Sequence, residues 1–191
     1  IEEIETGQNF YTERLLGHEF TISAPSFFQV NTYQAEKLIQ TVLNYITQED
    51  KTVIDAYAGV GTFTIFLAQK AEKVIAIEES RSAYKDAQIN IKSFDNITYL
   101  CKKTEEALFE SKINADAIVV DPPRVGCMKE VLDAIVEKRI RKVIYVSCEP
   151  STLARDLKYL KERGYKLIEV QPVDMFPQTY HIENVALIKI E

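Results

Sequence analysis

Short apolar runs alternate with segments of helical period over most of this sequence. The runs TVIDAY (52–57), KVIAIE (73–78), ITYLC (97–101), ADAIVVD (115–121) and KVIYVSC (142–148) have the near-continuous apolar character of strands covered on both faces. Residues 62–70, 80–92, 104–110, 128–138 and 151–163 follow them one by one and predict helices. Ahead of the series, EFTIS (19–23) predicts a short strand that Pro25 breaks. A helix follows from about Thr32 to Thr47, with Leu38, Val42, Leu43 and Ile46 on one face. Residues 165–173 and 183–191 close the chain as two strands with only a loop, marked by Pro177 and Gln178, between them.

Strands joined through helices pair in parallel, whereas a strand that follows a strand directly returns antiparallel. The expected fold is therefore α/β, with a mostly parallel seven-stranded sheet and an antiparallel last strand. That is the pattern of the Rossmann-like class I methyltransferases. The length suits one domain. Residues 32–191 are assigned to it, and residues 1–31 to an N-terminal extension, the remnant of a preceding domain. Because Ile1 stands where a start Met would, a fragment is expected.

Composition narrows the function. The three cysteines, Cys101, Cys127 and Cys148, are widely spaced, and only two histidines are present. No metal site is expected, and a reducing, cytoplasmic setting is. No run is long enough to cross a bilayer. A net charge of −6 argues weakly against nucleic acid. Local basic clusters at Lys102–Lys103, at Lys138, Arg139, Arg141 and Lys142, and at Arg155, Lys158, Lys161 and Arg163 are best read as solvated helix faces.

The first strand-to-helix turn, Asp55-Ala56-Tyr57-Ala58-Gly59-Val60-Gly61-Thr62-Phe63, holds two glycines but not the third that a dinucleotide turn carries. In open α/β sheets ligands bind beyond the carboxyl ends of the strands. Glu78, ending the second strand of the series, is placed to accept hydrogen bonds from ribose hydroxyls, and the adjacent Glu79 points the other way. Together these indicate an S-adenosylmethionine site. Asp121-Pro122-Pro123-Arg124, Ser147-Cys148-Glu149-Pro150 and His181-Ile182-Glu183-Asn184 all lie at strand ends on the same rim. Cys148 precedes a helix expected to start near Pro150, whose partial positive charge favours the nucleophilic thiolate. A buried structural cysteine is the alternative. Cys101 and Cys127 lack such a helix start and are read as inert.

The segments FFQVN (27–31), DAYAGVGTF (55–63), DPPRVG (121–126), VSCEPSTLARD (146–156) and FPQTYHIENVALI (176–188) resemble the RNA uracil-C5 methyltransferase family, and the likeness runs over residues 19–191. The resemblance implies methylation of carbon 5 of a uridine in RNA, with S-adenosylmethionine as donor, Cys148 as nucleophile and Glu183 as base. It implies Gln29, Tyr57, Thr62, Glu78 and Asp121 as cofactor contacts. The likeness leans toward the branch acting on 23S ribosomal RNA rather than transfer RNA, and a monomer is expected. Lys102-Lys103 stands where the family commonly has Gly-Asp, so the usual acidic contact to the adenine is displaced, and Glu105 is a nearby substitute. Glu149 stands where Asn is more usual, and Thr62 where Asn often is. Asp121 is expected to orient cofactor or base. Arg124 either binds phosphate or locks its loop. Phe27 and Phe28 either face bases or pack in the core.

Three alternatives remain. An RNA cytosine-C5 methyltransferase would carry a cysteine directly after the DPP, where this chain has Arg124. A small-molecule methyltransferase has no need of a covalent cysteine. A non-catalytic RNA-binding scaffold has no need of Cys148 with Glu183.

Overall fold

The computed structural model describes residues 7, 9–110 and 113–190. A hairpin of β1 (Phe10–Leu15) and β2 (His18–Ser23) leads into α1 (Thr32–Tyr45). Five strand–helix units follow: β3 (Thr52–Ala56) and α2 (Thr62–Ala68), β4 (Lys73–Glu78) and α3 (Arg81–Asn90), β5 (Ile97–Cys101) and α4 (Thr104–Glu110), β6 (Ala117–Val120) and α5 (Lys129–Glu137), β7 (Lys142–Ser147) and α6 (Pro150–Lys161). Strands β8 (Tyr165–Val173) and β9 (Glu183–Ile190) end the fold. The seven-stranded sheet has the order β5-β4-β3-β6-β7-β9-β8. The pairs from β5 through β7 are parallel, and β9 lies antiparallel between β7 and β8. The expected architecture is therefore the observed one.

Side-chain alternation divides the core in two. Val53, Val74, Val119, Ile144 and Val185 face α1, α2 and α3, whereas Ile54, Ile75, Ile118, Val143 and Ala186 face α4, α5 and α6. Both sheet faces are covered, which is why these strands read as continuous apolar runs.

The sequence reading finds only the second strand of the hairpin. In β1 only Leu15 is buried, so no alternation marks it as a strand. The hairpin inserts Leu15, Phe20 and Ile22, all fully buried, into the α1 side of the core, each worth roughly 1.5–3 kcal/mol of burial. The expected extension at 1–31 falls partly on residues 1–6 and 8, outside the described residues, as does the final Glu191 of the last strand.

Polar ties fix where the segment after the hairpin lies. Asp86 of α3 accepts from the Ser23 backbone (2.9 Å), Ser23 Oγ (2.7 Å) and Ser26 Oγ (2.5 Å). Asn90 of α3 joins Thr21 to the Val60 carbonyl in the glycine turn, accepting from the Thr21 N–H (2.8 Å) and donating to Val60 O (3.0 Å). Asn31 caps α1 and donates to the Met175 carbonyl of the β8–β9 loop (3.1 Å). Residues 24–31 are thereby tied to both rims of the crevice where strand order reverses between β3 and β6.

Candidate active site

Strand β3 ends at Ala56, and the chain turns at once. Tyr57 takes φ +64°, a left-handed conformation that a bulky side chain adopts only under constraint. Gly61 at φ +89° starts α2. The turn is held by Glu78. One carboxylate oxygen accepts from the Gly59 N–H (2.9 Å) and the other from the Ser80 N–H (2.7 Å). Each oxygen keeps a further lone pair for a ligand hydroxyl. The Tyr99 hydroxyl donates to the Gly59 carbonyl (2.6 Å).

Two hollows flank Tyr57. The first is bordered by Phe27, Gln29, Tyr57, Thr62 and Asp121. The second, beyond Tyr57, is bordered by Glu78, Lys103, Glu105, Pro123 and Met128. Four of the five expected cofactor contacts, Gln29, Tyr57, Thr62 and Asp121, thus surround one hollow, and Glu78 with Tyr57 borders the other. Glu79 also borders the second hollow but is exposed. The Tyr57 hydroxyl is buried without a hydrogen-bond partner.

Asp55, beneath this turn, escaped the sequence reading. It is fully buried, accepts from Thr64 Oγ1 (2.5 Å), and has one oxygen without a partner. Burial, with Glu78 nearby, pushes its carboxyl up to about 7. The available signal was a carboxylate inside an otherwise apolar strand.

The expected nucleophile and base meet at the end of the sheet. Ser147 of β7 pairs with Asn184 of β9. One step further along an antiparallel ladder, Cys148 comes opposite Glu183. Glu183 is 5% exposed. Cys148 is half-buried and not sealed in the core. Burial raises the Cys148 thiol, the carboxyls of Glu183 and Asp121 raise it further, and Arg124 opposes them. Burial likewise raises Glu183 against the opposing charge of Arg124. Asp121 is lifted well above the carboxylate range by burial, Glu183 and Asp55.

One expectation is corrected. Helix α6 does start at Pro150, yet the resting thiol is not biased toward thiolate. The helix cap is Glu149, which accepts from the Ser151 N–H (3.3 Å) and Ser151 Oγ (2.8 Å) and so meets the helix start with its own negative charge. Burial and the carboxyls of Glu183 and Asp121 raise the thiol.

The DPPRVG and STLARD segments turn out to be one mechanical unit. Thr152 Oγ1 donates to the Arg124 carbonyl (3.0 Å), Arg155 Nη2 to the Val125 carbonyl (2.9 Å), and the Cys127 N–H to Asp156 (2.9 Å). Tyr145 from β7 donates to the same Asp156 oxygen (2.7 Å). Cys127 is buried here, and burial pushes its thiol up to about 12. Gly126 lies at φ +81°, where a Cβ would sit 2.5 Å from Arg155 Nη2 and 2.7 Å from an Asp156 oxygen. Gly126→Ala is expected to cost roughly 1–3 kcal/mol of stability. It should also deform the wall of the second hollow. Urea unfolding checks this, and an unchanged midpoint would contradict the clamp.

The two phenylalanines separate. Phe28 packs in the core against Phe20 (centroids 5.6 Å apart), whereas Phe27 is 74% exposed at the mouth of the first hollow. Tyr180, on the loop before Glu183, is 90% exposed, with its ring centroid 4.2 Å from that of His181. Nothing in its sequence context had singled it out. The basic clusters do not form one stripe. Lys142 is buried against Asp50, Lys102 pairs with Glu110, Arg141 with Asp116 (3.0 Å), and Arg163 stacks on Tyr159.

Comparison with known proteins identifies the family and the fold. The family model described as tRNA (Uracil-5-)-methyltransferase matches residues 4–190. An uncharacterized RNA methyltransferase from Caldanaerobacter subterraneus subsp. tengcongensis is 44% identical over 189 residues, which is 96% of this chain and 42% of the relative. Another from Clostridium acetobutylicum is 47% identical over 177 residues, 90% of this chain and 38% of the relative. The chain thus spans about two-fifths of the length of the curated relatives it matches. Among solved structures, the tRNA (uracil-54, C5)-methyltransferase of Pyrococcus abyssi, in complex with S-adenosyl-L-homocysteine, superposes with a TM-score of 0.84 at 33% identity, covering 95% of this chain and 45% of that one. The M. jannaschii tRNA m1G37 methyltransferase, with a TM-score of 0.70 at 14% identity over 96% of this chain and 58% of that one, shares the fold alone.

Proposed function

The chain belongs to the tRNA (uracil-5-)-methyltransferase family, and from that premise we propose that it methylates carbon 5 of a uridine in RNA through a covalent bond between Cys148 and carbon 6 of the base. The observation that carries the reading is the placement of Cys148 opposite Glu183, beside Asp121, on the rim of the glycine-turn cleft.

The cleft fits S-adenosylmethionine. Glu78 has acceptor capacity left for ribose hydroxyls, the Tyr57 hydroxyl lacks a partner, and Gly59 leaves open space where a Cβ would stand. Gln29, Tyr57, Thr62, Glu78 and Asp121 hold the cofactor in this reading. When bound it supplies a methyl group made electrophilic by a sulfonium.

Carbon 5 of uracil is a weak nucleophile. Addition of the Cys148 thiolate to carbon 6 breaks the 5,6 double bond and moves its electron pair into an enolate, which makes carbon 5 able to take the methyl group. Glu183 then removes the proton from carbon 5, and the electrons left behind reform the double bond and expel the Cys148 sulfur. The raised carboxyl of Glu183 suits a base that must take a proton and give it up again. Asp121 orients the reacting groups by hydrogen bonding. Arg124, near Cys148 and Glu183 in charge, steadies the anionic forms of both. The target base leaves its stack to reach Cys148, and Phe27 offers it an exposed aromatic face.

The substrate read from the sequence is 23S ribosomal RNA. Transfer RNA is a second reading, favoured by the named substrate of the Pyrococcus abyssi relative. Incubation with methyl-labelled S-adenosylmethionine and each RNA, followed by nucleoside analysis, separates them. The expected product is 5-methyluridine in ribosomal RNA. Label in transfer RNA alone would replace the substrate, and label on cytosine, or none, would overturn the reading.

A further inference from the structure

The loop between β8 and β9 presents an aromatic ring to water from a firmly built turn. Tyr180 is 90% exposed, so its ring adds little to the packing of the fold. The turn beneath it is held by its own hydrogen bonds. Thr179 donates to the Phe176 carbonyl through both its N–H (3.1 Å) and its Oγ1 (2.7 Å), and the His181 N–H donates to Thr179 Oγ1 (3.2 Å). Gln178 takes φ +66°, a left-handed conformation that a residue other than glycine keeps only where its surroundings impose it. The rings form a series leading outward from the core. Phe176 packs against the buried cluster on the α1 side. His181 meets it edge-on with centroids 6.2 Å apart, and Tyr180 follows, 4.2 Å from His181.

This series ends beside the reacting groups. Tyr180 precedes Glu183 by three residues, so their Cα atoms lie within roughly 11 Å of each other. The Glu149 carboxyl, held low chiefly by its hydrogen bonds to Ser151, also feels Arg124 and then His181, which sets His181 next to the chain neighbour of Cys148.

Bringing a uridine to Cys148 breaks its stacks with the bases on either side. Each neighbouring base is left with a bare face at the mouth of the site. An aromatic ring fixed there restores one of those stacks, and it serves any base, because every base has a π-face. We propose that Tyr180, backed by His181, stacks on the base adjacent to the flipped uridine in a single-stranded segment of RNA. This rests on the RNA reading above and adds a contact for the strand that stays outside the pocket, whereas Phe27 serves the target base itself.

Fluorescence anisotropy with a labelled oligouridylate, and with the same strand made abasic at every second nucleotide, tests this without methyl transfer. The abasic strand keeps its phosphates, but none of its uridines has a base beside it. The unsubstituted protein is expected to prefer the intact strand by about fivefold or more. Tyr180→Leu should remove most of that preference by weakening the intact strand. Tyr180→Phe should keep it, as should Phe109→Leu, which removes a 52% exposed ring near the end of α4. Affinity for S-adenosylhomocysteine should be the same in all of them. A preference that survives Tyr180→Leu, or is lost in Tyr180→Phe, would overturn the assignment. Loss of S-adenosylhomocysteine binding in Tyr180→Leu would do so too, by giving Tyr180 a role in the fold instead. If the unsubstituted protein forms 5-methyluridine yet shows no preference between the strands, this inference alone falls. If it forms none, the reading beneath it falls as well.

Discussion

Replacing Cys148 by alanine is expected to abolish methyl transfer to uridine, a loss of roughly a thousandfold or more, while affinity for S-adenosylhomocysteine changes less than about twofold. The split follows from position. Cys148 sits at the β7–β9 end of the rim, whereas Gln29, Tyr57, Thr62 and Glu78 surround the two hollows without it. Cys148→Ser should fail as well, because a hydroxyl with carboxyls beside it cannot supply the anion. Acidity adds a second signature. Burial, Glu183 and Asp121 hold the thiol above its ordinary value of 9.0, so little thiolate exists near neutrality and kcat/KM should climb as pH rises into the alkaline range. Single-turnover transfer with labelled cofactor, run beside calorimetry, reads both effects. An alanine variant that still methylates uridine would contradict the covalent role.

Replacing Glu183 by glutamine is expected to slow turnover by roughly a hundredfold to ten-thousandfold and to let protein bound covalently to RNA accumulate. Glutamine keeps the shape of the side chain and loses the ability to take a proton. Addition of Cys148 and methylation at carbon 5 then still proceed, and the carbon 5 proton has no acceptor. The geometry narrows the choice of base. Glu183 is the group opposite Cys148, whereas burial, Glu183 and Asp55 raise the Asp121 carboxyl well above its ordinary value. Denaturing gel electrophoresis with labelled RNA detects the accumulated species. A variant that stalls with no adduct would place Glu183 before the addition step and so outside the base role.

Much of the fold was legible because both faces of the sheet are covered. Strands β3, β4, β6 and β7 bury both sets of side chains, so apolar runs stood out against the helices, and the absence of a helix between β8 and β9 announced the reversal. The first hairpin strand was not legible, because Phe10–Leu15 lies on the surface except for its last residue. At the site, the residues that end strands were found from position. Their ionisation was not, because it depends on neighbours brought from β6, β7 and β9 together, and on Glu149 capping the helix that was expected to activate Cys148. The clamp of Thr152, Arg155 and Asp156 on the Arg124–Cys127 turn was equally hidden, since it joins segments separated by more than twenty-five residues. Asp55 was passed over because its strand looked like plain core.

The account depends on a bond between one sulfur and carbon 6 of the target base. RNA carrying 5-fluorouridine at the methylated position tests it directly, because fluorine at carbon 5 cannot leave as a proton and the final elimination stops. Intact-mass analysis of the unsubstituted protein with this RNA and S-adenosylmethionine should show one stable protein–RNA species that retains the added methyl group, and peptide mapping should locate the RNA on Cys148. Efficient methylation of ordinary uridine with no such species, or attachment at Cys101 or Cys127, would contradict it.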